Sequence, residues 1–180
     1  MRGLALLAGC GFLVAGLLVM SGTGCKRKVA KVETVETASD ELSTAVNAGN
    51  PAHAIQLVNG FYDIEQGAWR WTRSKFSITL LAPKDAAQKG ATLELKLSLP
   101  EVVFSRVGAV TLSAVIEGNA LPPQKFEKAG DHVFQRDIPA GAFRTETATI
   151  EFSLDKFLAA GVIEGRELGI IVLNAALLAR

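Results

Sequence analysis

From residue 76 onward the chain repeats one pattern, an apolar residue at every second position. Phe76, Ile78 and Leu80 alternate with Ser77 and Thr79; Leu93, Leu95, Leu97 and Leu99 alternate with Glu94, Lys96 and Ser98. Val110, Leu112, Ala114 and Ile116 form a third such run, and Ala148, Ile150, Phe152 and Leu154 a fourth. Successive side chains of a strand point to opposite faces, so each run predicts a strand with one buried face. His132 to Asp137 adds another strand, and Gly169 to Leu178 is apolar enough throughout for a central one. Ile55 and Leu57, in the stretch between Pro51 and Gly60, predict a first strand. Pro83, Lys89-Gly90, Pro100, Glu117-Gly118-Asn119, Pro122-Pro123, Gly130-Asp131, Pro139 and Gly141 separate the runs with turn chemistry. No segment has the length and period of a crossover helix, and one helical turn is expected from Lys156 to Ala160. The expectation is an all-β domain over residues 53–180, an antiparallel β-sandwich of about seven or eight strands.

The amino-terminal end obeys a different rule. Every residue from Gly3 to Met20 is apolar or glycine, Arg2 stands ahead of them, and the small residues Ser21-Gly22-Thr23-Gly24 lead to Cys25. A charged residue, an apolar run and a small-residue stretch make an export signal. With Cys25 next, the segment resembles a bacterial lipoprotein signal, which implies cleavage after Gly24 and a lipid on Cys25. Gly22 stands where such signals usually carry Leu; Leu7-Ala8-Gly9-Cys10 fits that local pattern but leaves too short a signal. Two other readings of the segment stay open. An apolar run of about 18 residues can span a bilayer uncleaved, with Lys26, Arg27, Lys28 and Lys31 then holding the rest in the cytoplasm. An ordinary secretory signal would leave Cys25 free. On the lipoprotein reading, residues 1–24 are the signal and 25–52 a tether, flexible or partly helical. A short helix is expected there from Ser39 or Asp40 to Ala48, with Leu42 and Val46 one turn apart. Both cysteines, Cys10 and Cys25, are then consumed, leaving no thiols for a disulfide, metal or redox centre. The implied location is the bacterial cell envelope, facing the periplasm or the surface. Lys26 after the cysteine, where inner-membrane retention uses Asp, points by the same resemblance to the outer membrane.

Charge excludes one class of partner. The chain has 19 Lys+Arg against 18 Asp+Glu, without the basic footprint that nucleic-acid binding requires. The Lys26 to Lys31 cluster is either a soluble spacer or a contact with anionic headgroups, at about 1 kcal/mol per charge.

Scarce aromatics gather in one place. Both tryptophans and the one tyrosine lie in Gly60-Phe61-Tyr62-Asp63-Ile64-Glu65-Gln66-Gly67-Ala68-Trp69-Arg70-Trp71-Thr72, and a second polar knot, Glu164-Gly165-Arg166-Glu167-Leu168-Gly169, precedes the last strand. These two stretches, with the Gly118 to Leu121 turn between them, resemble an accessory β-sandwich module of bacterial cell-surface proteins that is also appended to some glycosyltransferases. The resemblance covers about residues 54 to 178 and implies a jelly-roll-like sandwich, in the same class as an immunoglobulin-like one, with glycan association. From the residues themselves two readings follow. In one, Tyr62, Trp69 and Trp71 offer flat faces for sugar rings, and Glu65, Arg70 and Arg166 bond hydroxyls. In the other, Trp71 and Phe61 plug the core and Glu65 pairs with Arg70 or Arg166 to pin two loops.

Catalytic signatures are missing. His53 and His132 are the only imidazoles and neither stands in a ligand pattern, and there is no nucleophile elbow, phosphate-cradling loop or acidic run at calcium-ligand spacing. Asp63 and Glu65 alone do not make a glycosidase pair. The expectation is therefore a membrane-anchored, non-catalytic module without cofactor that binds envelope or extracellular glycans; the alternative is a structural lipoprotein docking a protein partner.

Overall fold

The computed structural model describes residues 41–180; the expected signal, Cys25 and most of the tether lie outside the described residues. Among the described residues the strands are β1 (Ala45–Asn47), β2 (Asn59–Phe61), β3 (Arg70–Leu81), β4 (Ala91–Leu99), β5 (Val110–Ile116), β6 (Asn119–Phe126), β7 (Gly130–Ile138), β8 (Thr147–Leu154) and β9 (Ile171–Ala179), with two short helices, α1 (Ala86–Lys89) and α2 (Glu101–Val107). All pairings are antiparallel. One layer runs β6-β5-β8-β3-β2, the other β7-β4-β9 with β1 on β9. β3 belongs to both: Lys75–Leu81 pairs with β8, while Arg70 and Trp71 pair with β9. The fold is an antiparallel β-sandwich closed along one side by this shared strand.

Alternation accounts for the core. Leu93, Leu95, Leu97 and Leu99 from one layer face Phe76, Ile78, Leu80, Leu112, Ile116, Ile150 and Phe152 from the other, and all are buried. Each such side chain contributes roughly 1.5–3 kcal/mol. On the open side, β6 and β7 are held by a side chain. Arg136, stacked on Phe134 at 4.5 Å, donates from Nε to Pro122 O (2.6 Å) and from Nη2 to Pro123 O (2.9 Å). Prolines lack the amide for a ladder and so sit on an edge strand; their carbonyls are left for Arg136.

Four local expectations change. The stretch at Ile55 and Leu57 is a 3-10 turn (Pro51–Gln56): the Asn50 side chain accepts from Ala52 N (3.0 Å) with Pro51 in the first turn. Buried Gln56 holds it down by bonding Ser43 N, Ser43 O and Thr79 O at 2.8–3.0 Å. The described part of the expected 39–48 helix is extended instead. Val46 and Ala48 are buried, Ala45 and Asn47 exposed, and Val46 pairs with Ala175, so the sandwich includes a strand within the 25–52 segment. Pro122-Pro123, expected as a turn, lies within β6, where the register with β5 shifts between Leu112 and Ala114. Lys156 to Ala160 makes no helical turn; Leu158 bridges Leu168.

The ends of β3 define two poles. Leu81 N donates to Ser43 O (3.0 Å), so the chain joins the sandwich at the Leu81 pole. Arg70 begins the strand at the other end, 11 residues before Leu81.

Candidate functional site

The Arg70 pole is built by the hairpin between β2 and β3. Glu65 N donates to Trp69 O (2.9 Å) and Ala68 N to Glu65 O (3.1 Å). Gln66 (φ 51°) and Gly67 (φ 66°) both have positive φ, the type I′ geometry that suits the twist of paired strands. Trp69 and Arg70 are thereby set at the root of β3, and Tyr62 N donates to Trp71 O (3.0 Å).

Arg166, not Arg70, meets Glu65. Its Nη1 donates to Glu65 Oε1 (2.8 Å) and its Nε to Glu164 Oε1 (2.6 Å). The bonds to Glu164 and Glu65 raise the Arg166 pKa further above its ordinary value, despite some loss from burial. Exposure of 36% on both Arg166 and Glu65 limits the stabilisation from their pair to about 1 kcal/mol or less. Arg70 instead donates from Nε to Ala48 O (3.0 Å) and from Nη1 to Tyr62 O (2.9 Å), joining the hairpin to the end of β1. Tyr62 carries two guanidinium groups near its ring, Arg166 at 5.0 Å and Arg73 at 5.4 Å from the centroid, each within cation–π range. Burial pushes the Glu167 carboxyl up, but its bonds from Ser74 and the charge of Arg73 more than offset this, so its pKa lies below the usual value.

Beneath these charges lies a backbone lock. Buried Thr72 donates from N to Ile170 O (2.9 Å) and accepts from Gly169 N (2.8 Å); its Oγ1 accepts from Ile170 N (3.2 Å) and donates to Ile170 O (3.1 Å). A Cβ on Gly169 would stand 2.7 Å from Arg73 O and 2.8 Å from Thr72 Oγ1, so the two backbones approach this closely only with glycine there. The Arg-Trp-Thr and Arg-Glu-Leu-Gly stretches are thus two halves of one joint. Thr72→Val keeps the shape but leaves Ile170 N–H buried without its acceptor, and should cost about 1–3 kcal/mol. Thr72→Ser should retain the bonds and stay closer to the parent; urea unfolding of the two variants measures the difference, and equal midpoints would contradict the role of the hydroxyl.

The tryptophans divide. Trp71, with Phe61, packs against the core, while Trp69 is half-buried beside the turn and outside the core cluster. Tyr62, Glu65, Trp69, Arg70, Trp71 and Arg166 all fall at this pole. Arg73, which sequence reasoning did not single out, joins them because β3 continues two residues past Trp71 with its next outward side chain beside Tyr62. The histidines are elsewhere. His53 Nδ1 accepts from Asn47 N (2.9 Å), and His132 bonds Lys128 O (2.9 Å) against the Phe126 ring. Among the described residues no group of His, Cys, Asp and Glu is placed to hold a metal ion.

No protein-family model and no curated protein matches the sequence. Among solved structures, the chain is similar to a carbohydrate-binding module, CBM36, in complex with calcium and xylotriose, at 12% identity and a TM-score of 0.38 over 74% of this chain and 98% of that one. It is similar also to a carbohydrate-binding module studied for specific mannan recognition, TmCBM27, at 13% identity and a TM-score of 0.45 over 78% and 98%. A third is the CBM36-1 domain of a multidomain xylanase from the hindgut metagenome of Trinervitermes trinervoides, at 11% identity and a TM-score of 0.40 over 76% and 95%.

Proposed function

We propose that the chain is a non-catalytic, glycan-contacting β-sandwich module held at a membrane of the bacterial cell envelope by a lipid on Cys25. The observation that carries the reading is the placement of half-buried Trp69 and Tyr62, with Arg73, Arg166, Glu65 and Glu164 around them, at the pole opposite the one where the chain joins the sandwich. An aromatic face receives the C–H face of a sugar, and flanking charges bond its hydroxyls. A tether leading to the Leu81 pole would present this cluster away from the anchoring surface.

The contact falls to a subset of the cluster. Arg70 is committed to two carbonyls and Trp71 to the core, which leaves Trp69 as the stacking face and Tyr62 with Arg73 as its flank. Trp69→Ala should abolish retention on a polysaccharide affinity column while moving the melting temperature little, because Trp69 lies outside the core. Unchanged retention, or no retention of the parent chain on any immobilised glycan, would overturn the reading. For the anchor, Cys25→Ser should release the chain from membranes.

The second reading, a structural lipoprotein with a protein partner, draws on Val162 and Ile163, which are 48% and 44% exposed on the loop before Arg166. It requires stoichiometric capture of one partner that Val162→Asp abolishes.

A further inference from the structure

The outer face of the β2-β3-β8-β5 layer carries a trough of about 370 Å³, lined by Asn59, Lys75, Ser77, Val115, Glu151 and Ser153. Its volume falls at the lower end of the range of about 300–1,000 Å³ common for small-ligand sites. Register builds it. Asn59, Ser77, Glu151 and Val115 stand side by side in one row across four strands; Lys75, Ser153 and Ser113 form the next row. At strand spacings of about 4.8 Å the first row is roughly 14 Å wide. Its small residues keep the face low, and Phe76 and Phe152, each 2% exposed, form part of its floor.

Two features distinguish this patch from an ordinary solvated sheet face. The first is where bonding stops. One row further on, Thr79 and Thr149 bond each other at 2.8 Å. Inside the trough Ser77, Ser153 and Asn59 make no such side-chain bond among the described residues. The second is a charge couple left open. Lys75 lies opposite Ser153 and Glu151 opposite Ser77, so the two charges are diagonal neighbours about 7–8 Å apart by backbone position. Among the described residues neither forms an ion pair, although Lys96 and Glu94, two positions apart on β4, close to 3.5 Å.

We propose that this trough is a second binding site, distinct from the Trp69 pole, for a short segment of an uncharged oligosaccharide. Each sugar hydroxyl both donates and accepts, which is what a surface of serine hydroxyls, one amide, one ammonium donor and one carboxylate acceptor can satisfy. Equal and opposite charges on one small face give no net attraction to a polyanionic or polycationic chain. A neutral polyol bonds both groups, whereas a uronate or an amino sugar gains at one group what it loses at the other and must also desolvate its own charge. No exposed aromatic ring lies in the trough, so recognition here rests on hydrogen bonds.

The test is a titration of the 15N-labelled full-length chain in detergent micelles, followed by amide chemical shifts. Cellotriose, mannotriose and maltotriose are the neutral probes; trigalacturonate and the glucosamine trimer are the charged ones. At least one neutral trisaccharide should shift the amides of Ser77, Glu151 and Ser153, and both charged trimers should bind more weakly. Glu151→Gln should weaken the neutral probe roughly tenfold through loss of a charge-assisted bond, and Ser77→Trp, on the outward face, should fill the trough and remove the shifts. Trp69→Ala should leave them in place, which separates this site from the pole. The proposal is overturned if no neutral trisaccharide moves these amides, if the charged trimers bind equally well, or if both trough variants keep the parent affinity.

Discussion

Gly60→Ala is expected to destabilise the sandwich by about 2–5 kcal/mol, a large part of the 5–15 kcal/mol that holds a typical domain together. Gly60 has φ +76°, and a Cβ there would stand 2.1 Å from Lys75 O and 2.7 Å from Phe76 Cα. A left-handed backbone costs a side chain roughly 1–2 kcal/mol. The clash is with the backbone of β3, so the rest of the cost is movement of a strand that pairs on both sides, roughly 1–3 kcal/mol. Gly67→Ala supplies the control. Gly67 has nearly the same conformation, φ +66°, with nothing within 4 Å of the added carbon, so that variant should lose only the conformational part. Denaturant midpoints of the two variants separate the contributions, and equal losses would show that the approach of β2 to β3 is not tight.

That contrast also explains how far the sequence could be read. The four runs of period two became β3, β4, β5 and β8, because each buries one face in the sandwich, and His132 to Asp137 lies within β7. β6 was not legible, because its burial does not alternate. It is an edge strand whose Pro122 and Pro123 are satisfied by Arg136 from another strand, and no local pattern reports a partner 13 or 14 residues away. β1 and β2, with three residues each, carry no period at all. Residues 51–57 alternate as a strand would, yet Asn50 and Pro51 start a 3-10 turn and Gln56 anchors it through Ser43 and Thr79. Local capping and one buried amide outweighed a weak alternation.

At the Arg70 pole the composition of the cluster was readable and its pairing was not. Glu65 had two arginines within reach by sequence, and Arg70 was the nearer. Strand alternation and the carbonyls of Ala48 and Tyr62 take Arg70 away, leaving Arg166, 101 residues along the chain, as the partner. The same alternation decides the tryptophans only in part. Trp69 and Trp71 share a parity, but β3 is pairing with β9 by Trp71, which gives that ring a wall to pack on. Distance from the sheet, rather than parity, sets which ring stays available.

Phe76→Ala should produce the other large loss, about 3–5 kcal/mol. Phe76 is 2% exposed and central to an aromatic series that crosses the sandwich. It stacks on Phe152 (4.8 Å, 13°) and meets Phe61 edge-on (5.4 Å, 75°), while Phe152 meets Phe134 edge-on in the opposite layer (6.2 Å, 78°). Truncation at Phe76 therefore opens a cavity and removes two aromatic contacts, each worth about 0.5–1.5 kcal/mol beyond area. It also frees Phe61, which immediately precedes Tyr62, so the hairpin that presents Trp69 loses its internal support. Phe76→Leu, which keeps most of the volume, should cost much less, about 1–2 kcal/mol. Chemical denaturation gives the stabilities, and near-ultraviolet circular dichroism reports whether the aromatic series persists. If Phe76→Ala unfolds within 1 kcal/mol of the parent chain, the series is not what couples the pole to the core.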